Sequence, residues 1–568
     1  MNALTTAKIE DVPKEVRGEL AQFSPTIQIL LWQRGIDTKA KAEKFITPSY
    51  EEDLHDPLLL NDIIKATERI KTAVKQNERI AIFSDYDCDG IPGAVVLHDF
   101  FTSIGFENFT NYIPHRHYEG FGLSVSAVEK LSKDEVKLII TIDCGVTDIE
   151  AVERASELGV DVIITDHHEP PAELPKAVAV VNPKLGKYPF PDLCGAAVAF
   201  KLAQAMLKVG DYNITPGQEK WWLDMVGVAT IADMVPLQGE NRALAFYGLK
   251  VLRKSRRPGL QQLLRVAKAK QSYLTEDDIG FTIGPRINAA SRMDAPEHAF
   301  RLLADKDEVE AGARVRVLEK LNNERKGVVA NMTKELHHWV SEVEELPPVL
   351  VFGHTNWRPS LVGLAANKLA EEHSRPVFLW GRDGNEIIKG SCRTGNGVSV
   401  VELMRAASDI FLEFGGHHGS GGFSVRDTDA LVLSERLNQA YQELGEAVSS
   451  PAASLNIHAT IDLHDIFGQL PRELARLAPF GLGNEKPLFA FRKVAPSKVE
   501  MFGKTKEHLK VSFTTASGEV EAIAFFATPE KFVAKPEVGV EANYIAHIEE
   551  SYFMGRLQRR LRLVEVLR

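Results

Sequence analysis

The sequence predicts an α/β protein: a doubly wound parallel sheet, a long connecting helix, a second α/β domain and a small C-terminal β-barrel. Three observations carry this. First, the apolar runs IAIF (80–83), LIITI (138–142), VIIT (162–165) and AVAVV (177–181) alternate with helical segments such as DIEAVERASELG. Continuous apolar strands of this kind are buried on both faces, as in a parallel sheet covered by helices on each side. Second, residues 306–345 form the longest helical pattern, with Val329, Met332, Leu336, Trp339 and Val343 spaced by three and four. Pro347 and Pro348 end it, and VLVF (349–352) opens a second α/β pattern. Third, beyond a linker-like VSSPAASLN (448–456), the short runs LKVSFTT, VEAIAFF and ANYIAHI are separated by turn residues. The elements divide into a helical lead-in (1–50), a first α/β domain (51–240), a helical connector (241–345), a second α/β domain (346–447) and a terminal β domain (455–568).

The chain has 568 residues and a formal net charge of -11. Its length suits three or four domains. The charge argues against one continuous basic surface for nucleic acid or anionic membrane, but not against a local basic site. Residues 455–568 carry 16 basic and 14 acidic side chains, so the acidity is segregated in the preceding body. No run of about 18 apolar residues is present, and MNALTTAKIEDVPKEVR lacks the blocks of a secretory signal. A soluble, cytoplasmic protein with no membrane partner is expected. Cys88, Cys144, Cys194 and Cys392 lie far apart, which excludes a CxxC zinc site and argues against a disulfide framework.

The chemistry concentrates after the apolar runs. IAIFSDYDCDG places Asp85, Asp87 and Asp89 behind the first strand, and LIITIDCG places Asp143 behind another. VIITDHHEP places Asp166, His167 and His168 behind a third, and IADMVPL adds Asp233. Ligands of open parallel sheets bind at the carboxyl ends of the strands, so these clusters should converge. Gathered carboxylates raise one another's pKa unless a cation sits among them. Carboxylates with imidazoles and no thiolate suit Mn²⁺ or Mg²⁺. A single Asp in such a place is commonly a helix N-cap, but capping does not call for D-x-D-x-D-G or for three equivalent strand ends.

The motifs DYDCDG, IDCG, TDHH and ADMVPL resemble the four motifs of the DHH phosphoesterase family. PHRHYEGFGLS, GPRINAASRMD, GHTNWRPSLVGLAANKLAEEHSRPVF, GSCRTGNGVSV, FGGHHGSGGFSV and APFGLGNEKPLF follow in order and resemble its RecJ branch of bacterial exonucleases, which degrade single-stranded DNA from the 5′ end. The resemblance implies a two-metal-ion phosphodiester hydrolase that releases 5′-mononucleotides, with two Mn²⁺ or Mg²⁺ ions. Asp143 would bridge the ions. Asp85, Asp87, Asp89, His167 and Asp233 are the other candidate ligands, and which two of the three motif I aspartates bind metal stays open. His168 would contact phosphate and Asp166 would orient its neighbours. The resemblance also implies action in recombination and repair beside a helicase and a single-strand-binding protein, and a monomeric chain is expected.

The segment 349–424 resembles the DHHA1 domain that accompanies such catalytic domains. Its Gly390–Thr394 turn offers a hydroxyl, a guanidinium and backbone N–H groups for a terminal phosphate. The resemblance assigns Ser391, Arg393 and His417 to the 5′ end, and Arg116 and Phe121 to a narrow entrance where an aromatic ring stacks on a base. Arg286 is a further candidate phosphate contact. The terminal domain resembles an OB-fold, with Lys504, Lys506, Lys510 and Arg556 as its strand-binding track near Phe502 and His508. Cys88, inside motif I, is expected to make metal binding sensitive to oxidation. Two other readings stay open: a relative that cleaves short oligoribonucleotides or cyclic dinucleotides, and a replication scaffold that binds DNA without cutting it.

Overall fold

The computed structural model describes residues 8–382, 387–444, 455–503, 506–553 and 556–568. The first domain is built on strands β1 (Ile80–Ser84), β2 (Phe109–Tyr112), β3 (Leu138–Ile142), β4 (Asp161–Thr165) and β5 (Ala179–Val181). They pair in the order β2-β1-β3-β4-β5, parallel throughout. Alternate residues of these strands feed two cores. Ile80, Ile82, Leu138, Ile140 and Ile142 pack with helices Ile63–Gln76, Gly90–Ser103 and Gly195–Val209. Ala81, Phe83, Ile139 and Ile164 pack with helices Val125–Lys133 and Ile149–Glu157. Burial on both faces accounts for the unbroken apolar runs. In this strand order the chain reverses direction between β1 and β3, and the crevice for a ligand opens there, at the carboxyl edge.

Helix Glu308–Ser341 has 34 residues and spans about 50 Å. Asp307 caps it, its Oδ1 accepting from the Val309 and Glu310 amides. Val315 and Leu318 belong to the first domain's core, whereas Met332 and Leu336 belong to a core of the second domain. The helix therefore ties the two lobes together. Val343, expected within the apolar stripe, lies past the helix end and is exposed.

The second sheet comprises β6 (Leu350–His354), β7 (Val377–Arg382), β8 (Ile388–Arg393), β9 (Glu413–His417) and β10 (Ser420–Val425), ordered β6-β7-β8-β10-β9. Only its β6–β7 pair is parallel. The C-terminal domain is a seven-stranded sheet of β11 (Ala459–Thr460), β12 (Phe489–Val494), β13 (Lys498–Phe502), β14 (His508–Thr515), β15 (Gly518–Ala524), β16 (Ala542–Phe553) and β17 (Arg556–Leu567). Its order is β11-β12-β16-β17-β15-β14-β13.

The N-terminal helices close the molecule. Leu20, Ile27, Leu30 and Leu31 share one core with Phe489, Phe513 and Tyr544 of the C-terminal sheet. Arg34 Nε donates to Asn484 Oδ1 at 2.8 Å, and Arg242 Nε donates to the Phe45 carbonyl at 2.7 Å. The Leu237 amide donates to the Leu482 carbonyl at 2.7 Å. The segment APFGLGNEKPLF is thus seated against the loop that follows Asp233. Among the described residues, no helix is long and apolar enough to cross a membrane.

Candidate metal centre

The strand ends do converge. Asp85 extends β1, its amide donating to the Ile142 carbonyl, and Asp143 extends β3, its amide donating to the Thr165 carbonyl. Asp143 adopts φ 61°, a left-handed conformation uncommon for a residue with a side chain. Asp87 Oδ1 accepts from the Asp89 and Gly90 amides at 2.7 and 3.2 Å, so it caps helix Gly90–Ser103 and keeps its other oxygen available. Asp89 accepts from the Gly195 and Ala196 amides at 2.6 and 2.7 Å, at the start of helix Gly195–Val209. Asp233 stands just past helix Leu223–Ala232.

Three overlapping ligand groups emerge at the strand ends, one of them Asp143 with His167 and His168. Asp85, Asp87 and Asp143 present carboxylate oxygens within 4.8 Å of one another, and so do Asp89, His167 and Asp233 with imidazole and carboxylate atoms. His167 Nε2 lies 3.7 Å from Asp89, 3.8 Å from Asp233 and 3.1 Å from Asp143 Oδ1. The last contact is short enough for a hydrogen bond but out of line for one, and Asp143 Oδ1 has no donor. Asp85 Oδ1 is likewise buried without a donor. A buried carboxylate oxygen with no donor is costly, and a cation is the partner that this donor set suits.

The electrostatics agree. Burial, reinforced by neighbouring aspartates, holds Asp85 and Asp143 well above the usual carboxylate range. The same causes push Asp89 up to about 6 and Asp233 up to about 9. Burial, with His168 adjacent, lowers His167 to about 4, so its ring is a neutral ligand, and it is steadied by a hydrogen bond with the Leu193 backbone. Asp166 differs from the other aspartates. Its Oδ1 accepts from both the His167 and His168 amides and stands 2.7 Å from His168 Nδ1, while Oδ2 accepts from the Val146 amide. Burial opposes its charge, but these bonds outweigh it and lower its pKa. Burial opposes charge on His168 too, yet the Asp166 carboxylate raises its pKa.

Gly195 lets this packing happen. A Cβ there would stand 2.5 Å from Asp143 Cβ and 2.8 Å from its Cγ. Gly195→Ala is expected to displace Asp143 and weaken divalent-metal affinity about 10- to 100-fold, the range found when ligand-supporting groups are lost. Titrating Mn²⁺ against thermal stability checks this, and an unchanged midpoint would contradict it.

The substrate residues sort into three groups. Phe121 is half exposed, its ring 5.7 Å from that of His168, and Arg116 lies over the Tyr86 ring at 4.8 Å, its charge favouring ionised Asp85. Arg393 and Ser391 share one face of β8, close to where a Cβ on Gly363 would stand (3.2 Å to Arg393 Nη2, 3.3 Å to Ser391 Oγ). They face the first turns of helix Pro359–His373, a favourable end for an anion. His417 is exposed on β9 opposite Ser420.

Arg286 is engaged within the protein. Its Nε donates to Glu319 at 2.7 Å and its Nη1 to the Thr282 carbonyl, so it serves the helix packing. Arg292, overlooked in the same motif, occupies the place between the lobes. It donates to the Ser360 carbonyl at 2.5 Å and receives the Ser360 hydroxyl on its own carbonyl. Burial, with Arg116 and Arg325 nearby, lowers its pKa to about 9, and Asp87 and Arg393 are also within electrostatic reach. Lys510 is paired across strands with Glu500 and Glu521 at 2.7 and 3.2 Å. Lys506 is exposed at the β13–β14 turn. Lys504 lies outside the described residues, and so does the Arg556 side chain, of which only the backbone is described. Cys88 is buried and its thiol is pushed well above the usual range by burial and Asp87, which removes the basis for expecting a reactive thiolate.

A parallel sheet with carboxylates and imidazoles at its strand ends, joined by a long helix to a mixed sheet, defines a metal-dependent phosphoesterase of the DHH type. Residues 79–230 match the DHH family N-terminal domain, 346–450 the DHHA1 domain and 457–565 the RecJ OB domain. The chain belongs to the RecJ family of single-stranded-DNA-specific exonucleases. It is 30% identical over 533 residues to RecJ of Salmonella typhimurium, covering 89% of each chain. It is 35% identical over 512 residues to RecJ of Bacillus subtilis, covering 89% of this chain and spanning 64% of that protein. Crystal structures of RecJ from Thermus thermophilus in complex with Mn²⁺ and Mg²⁺ match the whole chain with TM-scores of 0.81 and 0.74, at 28% and 26% identity, over 79% and 78% of their own lengths.

Proposed function

We propose that the protein hydrolyses single-stranded DNA from the 5′ end, releasing 5′-mononucleotides, with two divalent ions, Mn²⁺ or Mg²⁺, at the centre described above. The observation that carries this is Asp143, whose carboxylate completes a group with Asp85 and Asp87 while its donor-free Oδ1 lies beside His167 of the Asp89–His167–Asp233 group. Asp143, common to both sides, would hold the ions together with Asp85 and Asp87 on one side and Asp89, His167 and Asp233 on the other. When bound there, divalent ions would supply charge neutralisation at the phosphodiester and a lowered pKa for water.

The chain's own residues do the rest. Asp166 holds His168 through Nδ1 and raises its pKa, and the protonated ring has Nε2–H left to donate to a phosphate oxygen. Phe121 stacks on the terminal base beside His168. Arg116 and Arg292 neutralise the scissile phosphate, and Arg393 with Ser391 holds the terminal 5′-phosphate. Family membership supports work beside a helicase and a single-strand-binding protein, and a cytoplasmic, monomeric setting.

The test is a time course on long 5′-labelled single-stranded DNA, the corresponding duplex and a dinucleotide, with and without chelator. Mononucleotides should appear first from the long single strand and only with metal. Cleavage of the dinucleotide alone would overturn the exonuclease reading in favour of a short-substrate phosphodiesterase. Arg393→Ala should reduce the preference for a 5′-phosphate over a 5′-hydroxyl end by about 10- to 100-fold, the worth of a charged hydrogen bond; an unchanged preference would remove Arg393 from that role.

A further inference from the structure

The loop between β2 and helix Val125–Lys133 carries Arg116 and Phe121 to the mouth of the metal centre. Phe121 stands between Gly120 and Gly122, whose φ angles of 83° and 81° lie in the left-handed region. Glycine enters that region at little cost and leaves it as easily, so the local backbone does not by itself fix where the ring points. The residues on either side do. Glu119 accepts at both carboxylate oxygens, Oε1 from the Tyr112 hydroxyl and Oε2 from the His115 amide at 2.7 Å. Asp148, just before helix Ile149–Glu157, accepts from the Leu123 amide at 2.6 Å, and a Cβ on Gly122 would stand 2.7 Å from the same oxygen. Tyr112 is itself held in β2: its ring stacks on Phe83 of β1 at 5.4 Å, and the Lys130 ammonium lies 4.7 Å from its centre. Burial and the Glu119 carboxylate raise the pKa of its phenol, so it stays protonated and donates.

We propose that, on the exonuclease reading, Glu119 and Tyr112 are positioning residues that hold Phe121 where it stacks on the terminal base beside His168. Two observations set this apart from ordinary loop packing. Glu119 is a carboxylate three residues from Arg116 at the mouth of a site for a polyanion, where a free negative charge repels the strand. Committing both of its oxygens to Tyr112 and His115 turns that charge inward and makes it the anchor of the loop. The ring it holds also belongs to the site. Phe121 is half exposed, meets His168 edge-on at 5.7 Å and Tyr86 edge-on at 6.5 Å, and so leaves surface open to a base while its edge contacts fix its distance from the metal ligands. A shift of about 1 Å in that ring misplaces the scissile phosphate against groups that do not move with it.

The experiment follows release of the 5′-labelled terminal nucleotide from a short phosphorylated oligothymidylate, beside the same strand with an abasic first nucleotide, and measures affinity for both strands in EDTA. On the base-bearing strand, Phe121→Ala should raise KM and weaken affinity about tenfold, the worth of one base–aromatic stack, with kcat little changed. Tyr112→Phe, which keeps the ring on Phe83, and Glu119→Ala should each do so about three- to tenfold, the range for one hydrogen bond. The double variant should be no worse than Glu119→Ala, because both substitutions remove the same bond. Glu119→Gln, which still bridges Tyr112 and His115, should stay close to wild type. On the abasic strand all of these variants should match wild type, a result that general loosening of the fold does not give. Wild-type behaviour of Tyr112→Phe and Glu119→Ala beside an impaired Phe121→Ala would overturn the proposal, and so would equal losses on the two strands. An unimpaired Phe121→Ala would remove the stacking role and the proposal with it. A wild-type protein that binds both strands but cleaves neither would overturn the exonuclease reading, while the affinity comparison still decides the role of Glu119 and Tyr112.

Discussion

Asp143→Asn is expected to lower the rate of single-strand cleavage by at least about a thousandfold at saturating metal, while strand binding in chelator stays within a few-fold of wild type. Loss of a charge that two cations would share on the proposed mechanism forfeits several kcal/mol of transition-state stabilisation, and each 1.36 kcal/mol is tenfold in rate. The amide fills the same volume next to Gly195, so packing is preserved, unlike the collision expected of Gly195→Ala. The binding arm separates chemistry from substrate capture, because Phe121, Arg116, Arg292 and Arg393 are untouched. Cleavage within tenfold of wild type would sink the assignment of Asp143 as the shared ligand. Intact cleavage with lost binding would show instead that Asp143 acts on substrate.

The catalytic sheet was legible because its strands are buried on both faces. β1, β3 and β4 appear in the sequence as IAIF, LIITI and VIIT, and the Asp clusters follow them at once. β2 was not legible: Phe109–Tyr112 is an edge strand, partly exposed at every residue, so FTNY carries no unbroken apolar run. Nor could a lead-in of amphipathic helices announce its partner. An apolar stripe specifies that something covers it, not that the cover is a sheet more than 400 residues later.

The limits at the site are of the same kind. Arg286 and Arg292 lie six residues apart on one helix, about 240° around it, and therefore face different neighbours. The motif GPRINAASRMD shows both arginines but not which of them looks toward Asp87. Lys510 read as part of a basic track until strand register placed Glu500 and Glu521 beside it. Asp85, Asp87 and Asp89 could not be divided by spacing, since the division depends on where helix Gly195–Val209 delivers the amides that engage Asp89.

Removing divalent metal should lower the melting temperature, and lower it more as pH rises. In the metal-free protein, burial and neighbouring carboxylates raise Asp89 to about 6 and Asp233 to about 9, with Asp85 and Asp143 also raised. The unfolded chain would release the same protons near pH 4. The folded state therefore binds more protons between these values, and the stability this contributes is complete below about pH 4 and is lost as pH climbs through about 6 and then about 9. Bound cations favour the ionised carboxylates, so binding releases protons and its stabilising effect grows with pH. Melts in EDTA and in Mn²⁺ at about pH 6, 7.5 and 9 read the effect directly. The EDTA curve should fall across the series while the Mn²⁺ curve stays flatter. In EDTA, Asp143→Asn should melt above wild type and show a shallower pH slope, because it deletes one buried negative charge from the crowd. A metal effect that is absent, or largest at the acid end, would contradict a centre built from mutually repelling carboxylates.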